Sequence, residues 1–243
     1  MKHNIKGKCK YCGKEYTLGY MKRHLLSCRE RQQKQDEEKG TGKGAVKCGY
    51  FELQIYDRYN HDYWLFIEVR ETAKLRDVDR FLRDIWLECC GHLSAFYING
   101  VSYEAFPQED FFDGEHSESM DCQLKSVLKK GIKFTYEYDF GSTTELVINV
   151  INYRVGGRRK EGLTILSRNN PLELICSECG KKPAVVICPQ CIYENGGLLC
   201  EDCRETHACG EEMLLEVCNS PRMGVCCYEG SDKYPDQFVP DCF

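Results

Sequence analysis

The sequence lacks any apolar run of the ~20 residues that a helix needs to cross a bilayer. Its first residues, MKHNIKGKCK, carry charges but do not contain the apolar stretch of a secretory signal peptide. We therefore expect a cytoplasmic protein with no membrane partner.

Patterns of catalytic residues are also lacking. Gly42 and Lys43 do not sit in the frame of a phosphate-binding loop, and no apolar strand precedes them. Asp139-Phe140-Gly141 spells a kinase metal-binding triplet, but the other kinase motifs are not present. No nucleophile stands in a pattern with a base. We expect a protein that is not an enzyme and has no small-molecule substrate.

Cysteine, in contrast, is abundant, with 18 residues in a chain of 243. Many of these cysteines form CxxC pairs, and the chain shows no secretory signal. Paired cysteines in a reducing compartment are typical of metal sites and not of disulfide frameworks.

The first such pair belongs to a predicted zinc finger. Cys9 and Cys12 form a CxxC knuckle, and His24 and Cys28 follow with a spacing that places both on one face of a helix. Four sulfur and nitrogen ligands suit tetrahedral zinc. The pattern resembles a nucleic-acid-binding zinc finger in which the last His is replaced by Cys.

Charge is distributed unevenly along the chain. Residues 1–47 hold 13 Lys/Arg against 5 Asp/Glu, whereas the rest holds 20 against 33. A basic head on an acidic body favours contact with a polyanion, although a solubilising arm would give the same count. The residues that we expect to bind nucleic acid are Lys10, Lys14, Lys22, Arg23 and Arg29, with Lys6, Lys8 and Arg31 beside them.

A second metal module is predicted near the C-terminus. Three CxxC pairs are followed by a His-x-Cys, which supplies eight ligands, enough for two tetrahedral zinc sites. In such ladders the first pair usually joins the third and the second joins the last. The predicted sites are Cys176, Cys179, Cys200 and Cys203, and Cys188, Cys191, His207 and Cys209.

The last ligand of this module stays open, because the gap between His207 and Cys209 is short and Cys218 or Cys226 could replace Cys209. The spacing resembles a B-box or a related cross-braced module, and such modules commonly bind proteins. Together with the finger, the ladder predicts three zinc ions, all structural because the ligand sets leave no open position.

Between the two modules, the pattern predicts an α+β domain. Alternating apolar residues predict strands over 51–55 and 63–69, and the segment 72–91 has the spacing of an amphipathic helix. The Asn99-Gly100 turn predicts a hairpin, and a short helix and two closing strands follow it. This order predicts a β-grasp-like mixed sheet with one main helix, flanked by the two small zinc modules.

Three segments of this domain carry a resemblance to a known family. HLSAFYING, YDFGSTTEL and the helix DVDRFLRDIWLE resemble plasmid pRiA4b ORF-3-like proteins, over about residues 45–155. The most specific piece is Tyr138 to Gly141; Ser142 and Thr144 stand close to where that family usually has an Asp and a Trp. The resemblance implies a fold more than an activity.

The remaining cysteines and histidines receive no metal role from their spacing. Cys89 and Cys90 fall on the predicted helix, where apolar packing is expected, and His61, His92 and His116 have no partner at ligand spacing. The predicted boundaries are a finger at 1–34, a flexible linker at 35–47, the α+β domain at 48–172, the tandem zinc module at 173–217 and a tail at 218–243.

Function follows from these parts. We expect a zinc-dependent binding protein whose segment 1–47 contacts nucleic acid and whose C-terminal zinc module meets a protein partner. The alternative is a protein-interaction adaptor that uses this module and an edge of the sheet, with no nucleic-acid binding.

Overall fold

A computed structural model describes residues 5–40, 46–107, 117–194 and 196–241. The chain divides into two compact units. The first comprises Met1–Phe81, Leu93–Asn170 and Phe238–Phe243, and the second comprises Leu82–His92 and Pro171–Gln237. Each unit is therefore built from segments that are distant in the sequence.

The first part of the chain forms two strands and two helices before the central strands begin. These elements are β1 (Lys6–Cys9), β2 (Glu15–Thr17), α1 (Leu18–Ser27), α2 (Arg29–Gly40), β3 (Lys47–Asp57), β4 (Trp64–Arg70) and α3 (Leu75–Leu82). The following elements are β5 (Ser94–Ile98), β6 (Val101–Glu104), β7 (Glu118–Ser119), α4 (Leu124–Val127), β8 (Lys133–Tyr138), β9 (Thr144–Gly157) and β10 (Leu163–Asn169). The second unit adds β11 (Val186–Ile187), β12 (Leu198–Leu199), α5 (Glu201–Arg204) and β13 (Leu215–Glu216).

Among the described residues, strands β1 to β10 form one sheet in the order β2-β1-β10-β4-β3-β9-β8-β5-β6-β7. All neighbours pair antiparallel except β6 and β7. The protein is thus α+β, as the sequence predicts, and the structure shows a large, mostly antiparallel sheet with few helices. The finer β-grasp topology stays a prediction.

The central hairpin forms where alternation predicts it, but both of its faces are covered. Besides its apolar residues, β3 buries Glu52 and Gln54, and β4 buries Glu68. Alternation of this kind is usual for a strand with one solvated face. Here α2 supplies the cover, because its Arg31 is buried and paired with both Glu52 and Glu68.

The main helix is shorter than its apolar spacing predicts. α3 ends at Leu82, and a π-helical turn over Arg83–Leu87 completes the helical segment. Glu88 is already extended and caps this turn through its backbone N–H. Cys89 and Cys90 therefore follow the helix, and the prediction that they pack on its apolar side is wrong.

Strand β10 is not predicted by the sequence pattern. It lies between β1 and β4 and joins the N-terminal strands to the central sheet. Gly7 of β1 lies opposite Asn169, and a Cβ at Gly7 would overlap the carbonyl of Arg168, so this close approach requires glycine. The finger's hairpin is thus part of the main sheet.

The segment between the finger and the sheet also differs from the predicted linker at 35–47. Residues up to Gly40 belong to α2 and β3 begins at Lys47, so much of that range is regular structure. Residues 41–45 lie outside the described part of the chain. The helix packs on the sheet through Arg31, whose side chain forms ion pairs with Glu52 and Glu68.

The small sheet of the second unit has the order β12-β11-β13 in the described residues. Its apolar core includes Val186, Ile187 and Leu199, which are buried. Because this small sheet has so few apolar side chains, metal bound at the cysteine clusters around it would add to its stability.

Candidate metal centres

The N-terminal centre joins the hairpin of β1 and β2 to the end of α1. Cys9 ends β1, and the knuckle closes through the N–H of Gly13, which donates to the carbonyl of Cys9 at 2.9 Å. His24 lies in the last turn of α1, and Cys28 caps that helix. The four ligand atoms lie within 4.8 Å of one another.

Distances within this cluster fit a tetrahedral ion. Cys12 Sγ lies 3.3 Å from His24 Nε2, and Cys9 Sγ lies 3.9 Å from Cys28 Sγ. Ligands at the ~2.0–2.3 Å of zinc–nitrogen and zinc–sulfur bonds stand about 3.3–3.8 Å apart in a tetrahedron. The four ligand atoms therefore already lie at separations that suit a bound zinc ion, with no further movement of the chain.

Burial governs the protonation of these ligands. Burial raises the pKa of the Cys28 thiol to about 12 and also raises that of Cys9. Burial, with the charge of Lys14, lowers the pKa of His24 and so favours the neutral imidazole that binds metals. A metal ion that binds here displaces thiol protons, which couples its binding to pH.

The C-terminal ladder folds into two interleaved clusters. Cys176, Cys179, Cys200 and Cys203 form one set, and Cys188, Cys191, His207 and Cys209 form the other. These sets have the membership that the sequence spacing predicts. The structure brings Cys209 Sγ to 3.6 Å from Cys191 Sγ, the same separation as between Cys191 Sγ and His207 Nε2.

Tight backbone turns aim these ligands. The N–H of Gly180 donates to the carbonyl of Cys176 at 2.9 Å, and Cys200 stands at the N-cap of α5, one turn before Cys203. Gly197 has φ of +86°, and a Cβ there would lie 2.9 Å from the carbonyl oxygen of Cys188. Glycine is needed at this close approach.

Backbone donors prepare one thiolate in each C-terminal cluster. Burial raises the pKa of Cys176, but N–H groups of Cys179, Cys200 and Glu178 outweigh it and lower that pKa to about 6. Burial likewise opposes ionisation of Cys188, while donors from Cys191 and His207 bring its pKa to about 7. Each cluster therefore presents a thiolate near neutral pH, the form that binds metal.

The structure contains a fourth cluster of candidate ligands that the sequence spacing does not predict. Cys89, Cys90, His92 and Cys226 place their ligand atoms within 4.8 Å of one another. Two adjacent cysteines and a ligand more than 130 residues away do not form a recognisable spacing. The only sequence signal was the surplus of cysteines over the two predicted modules.

The predicted basic residues fall into two groups. Lys14, Lys22, Arg23 and Arg29 are exposed, whereas Lys10 forms an ion pair of 2.7 Å with Asp241. Arg23 also lies over the ring of Tyr20, 4.5 Å from its centroid. Of their neighbours, Lys6 is exposed and Lys8 is half-buried.

Arg31 is the exception among these cations. Its side chain is buried against Glu52 and Glu68, so the expectation that it belongs to the basic surface is wrong. Two buried carboxylates provide the charge compensation that a buried guanidinium requires.

The structure also describes the Asp139-Phe140-Gly141 triplet and His61, which the sequence pattern left without a functional role. Asp139-Phe140-Gly141 forms a turn after β8, in which Asp139 accepts a hydrogen bond from the N–H of Gly141 at 3.0 Å. His61 packs edge-on against Tyr56, and His116 lies outside the described residues.

In the part of the chain that the structure describes, no helix combines the length and the apolar character needed to span a bilayer.

Comparisons with known proteins bear on the central sheet. Residues 52–164 match the family model described as plasmid pRiA4b ORF-3-like protein. A search of curated proteins found no match to this chain.

Among solved structures, a similar chain is a protein of unknown function, MM3350, from Methanosarcina mazei Go1. Its TM-score is 0.40 at 17% identity, over 49% of this chain and 68% of that one. The resemblance predicted from the sequence motifs is confirmed by the family match, and the segment 52–164 of this chain is similar to plasmid pRiA4b ORF-3-like proteins.

Proposed function

We propose that this chain is a non-enzymatic, zinc-dependent binding protein that contacts nucleic acid through the surface of its N-terminal metal centre. Zinc is favoured because each cluster offers only thiolate and imidazole ligands at tetrahedral separations. Four protein ligands complete the coordination of each ion, which supports structural metal and not catalytic metal. Thiolate ligands must stay reduced, so we place the protein in the cytoplasm.

The observation that carries the nucleic-acid proposal is the orientation of α1. Met21 and Leu25 are buried, and they belong to one apolar cluster with Trp64, Phe66 and Leu166 of the sheet. Since one side of a helix is fixed in this way, the other side must face outward. The outward side carries cations.

Charge on this surface is nearly of one sign. Residues 5–30 hold seven Lys/Arg against two acidic residues, Glu15 and Glu30. Lys22 and Arg23 are exposed on α1, Lys14 lies in the preceding hairpin and Arg29 begins α2. Clustered, solvent-exposed cations on a rigid support suit the phosphates of a nucleic acid.

Tyr20 adds an aromatic element to the same surface. It is 62% exposed and stacks with the guanidinium of Arg23. An exposed ring beside cations can stack on an unpaired base, which favours single-stranded over duplex substrates.

Binding of the full-length protein to single-stranded and duplex oligonucleotides across a range of salt concentrations tests this proposal. The double variant Lys22→Glu/Arg23→Glu should bind about tenfold or more weakly. Its dependence of log affinity on log salt should be shallower by about 1–2, because each lost phosphate contact contributes ~0.7–0.9. The matched control is Lys125→Glu/Lys129→Glu, which reverses two exposed lysines elsewhere in the first unit and should bind normally.

Two single variants then separate the metal centres. Cys12→Ser removes a ligand of the N-terminal centre and should abolish binding, whereas Cys203→Ser alters only the C-terminal module and should leave it unchanged. If the intact protein shows no salt-dependent affinity for either nucleic acid at low ionic strength, the proposal fails.

Failure would favour the adaptor alternative in a narrower form. The edges of the main sheet in the described residues, β2 and β7, are only three and two residues long, and such short edges offer little for strand pairing. The C-terminal module instead exposes Tyr193 by 76%, and its open depression of about 420 Å³ is lined by Glu178, Thr206 and Ala208 beside the candidate zinc ligands Cys179, Cys203 and His207. A protein partner would therefore bind the module.

A further inference from the structure

The cluster of Cys89, Cys90, His92 and Cys226 has the dimensions of a metal site. Cys90 Sγ lies 2.9 Å from His92 Nε2, 3.4 Å from Cys226 Sγ and 3.8 Å from Cys89 Sγ. Cys226 Sγ lies 3.6 Å from His92 Nε2. Apart from the shorter contact between Cys90 and His92, these separations are close to those in the three predicted clusters and to the about 3.3–3.8 Å between ligands of tetrahedral zinc.

The turn that carries the first three ligands is held by its own polar contacts. The carboxylate of Glu88 accepts from the N–H of Gly91 at 2.6 Å and pairs with Arg83 at 2.9 Å. Arg83 also donates to the carbonyl of His92 at 2.7 Å. Gly91 has φ of +76°, which turns the chain back so that His92 approaches Cys90.

The loop that carries Cys226 is fixed in the same unit. Ser220 Oγ donates to the carbonyl of Trp86 at 2.6 Å and accepts from the N–H of Arg222 at 2.8 Å. Cys226 itself adopts φ of +57°, a left-handed conformation that residues other than glycine rarely adopt. A strained residue whose side chain points into a ligand cluster is typical of a functional site.

A disulfide does not account for this arrangement. The sulfur–sulfur separations of 3.4 and 3.8 Å are well beyond the about 2.05 Å of a disulfide bond. The imidazole of His92 lies close to the thiols of Cys90 and Cys226, and a disulfide bond would not account for this nitrogen donor.

We propose that a fourth zinc ion binds to Cys89, Cys90, His92 and Cys226 and holds the turn 88–92 against the loop 220–228. Three thiolates and one imidazole form the same donor set as the N-terminal centre. The ion joins two segments that are separated by most of the length of the chain. This site is independent of the proposed nucleic-acid contact.

The test is the zinc content of the full-length protein, expressed with ample zinc and purified under reducing conditions. We expect four zinc ions per chain in the wild type and three in Cys226→Ser. The matched control is Cys227→Ser, because Cys227 is exposed and adjacent, with its Sγ 4.0 Å from Cys226 Sγ, yet outside the cluster. This variant should retain four ions.

His92 provides a test that does not depend on loss of folding. His92→Cys supplies another zinc ligand and should retain four ions, whereas His92→Ala should retain three. After reloading with cobalt, the spectrum of His92→Cys should change toward that of an all-sulfur site. Three ions in the wild type, or loss of an ion from Cys227→Ser but not from Cys226→Ser, would overturn the assignment.

Discussion

At the scale of single residues, the most consequential group is the buried ionic cluster beneath α2. Glu68 is fully buried and contacts three guanidinium groups, those of Arg31, Arg154 and Arg159. Arg31 also pairs with Glu52 at 2.7 Å. Glu38 pairs with Arg154 and Arg159, so three carboxylates compensate three guanidinium groups. Removal of one buried member therefore leaves an unpaired charge in the interior.

The cluster predicts a defined pH dependence. Burial by itself raises the pKa of Glu68, but the hydrogen bond from Arg154 and the charges of Arg159, Arg154 and Arg31 lower it below its ordinary value of 4.5. A depressed pKa in the folded state means that ionised Glu68 stabilises the protein above that ordinary value. This contribution is lost as the pH falls through the folded-state pKa.

Glu68→Gln should therefore lower the free energy of unfolding by about 3–5 kcal/mol at pH 7. Its difference from the wild type should stay constant down to about pH 5 and narrow below 4.5, as measured by denaturant unfolding at each pH. Glu145→Gln is the control, because its partner Arg58 is 52% exposed and such pairs contribute ~0–1 kcal/mol. A difference that does not vary with pH would contradict the prediction.

At the scale of elements, the N-terminal finger shares its core with the sheet. Trp64 and Leu166 complete the apolar cluster around Met21 and Leu25, next to the ligands Cys9 and Cys28. The metal centre therefore supports a packing interface and not only its own hairpin and helix.

Loss of the N-terminal metal should consequently reach Trp64, which is 1% exposed. In a Trp86→Phe background Trp64 is the sole tryptophan of the chain. There, Cys12→Ser should shift its fluorescence emission to longer wavelength as α1 leaves the sheet and water enters. Cys203→Ser, in the same background, should leave the emission unchanged. An unshifted Cys12→Ser spectrum would mean that the apolar contacts hold α1 without metal.

How far the sequence predicts these features depends on separation along the chain. Cys9 to Cys28 and Cys176 to Cys209 are local patterns, so their spacing determines which ligands can meet. The packing of Met21 on Trp64 and Leu166 joins residues far apart, and no periodicity encodes it. The same reason hides β10 as the neighbour of β1, since strand order is a property of the whole sheet.

Buried polar residues are the reason why the sequence pattern does not predict which faces of the central strands are covered. Glu52 and Glu68 occupy positions that alternation assigns to a solvated face, and only the packing of Arg31 reverses that inference. Composition likewise shows that the finger is rich in basic residues, but it does not distinguish exposed Lys22 from buried Arg31.

At the scale of the whole molecule, metal clusters occur in both compact units. Among the described residues, the first unit holds one cluster of candidate ligands and the second holds three, of which the fourth cluster ties Leu82–His92 to the C-terminal segment. The first unit has the larger apolar core, whereas few apolar residues are buried in the small sheet of the second unit, so we expect metal loss to affect the second unit more. The sites should therefore differ in how metal loss affects folding and in how fast the metal leaves.

Exposure sets the expected order of metal loss. In the described residues each of the three predicted clusters includes at least one buried ligand, but the cluster of Cys89, Cys90, His92 and Cys226 includes none. A chelator exchanges with a protein-bound ion by direct contact, so the open site should release its zinc first. With excess chromogenic chelator, we expect one fast equivalent followed by slower release of the others. Cys226→Ser should lack the fast phase, and Cys227→Ser should retain it. Release of all zinc in one phase, unchanged by Cys226→Ser, would show that the exposure of its ligands does not control how fast this site loses its metal.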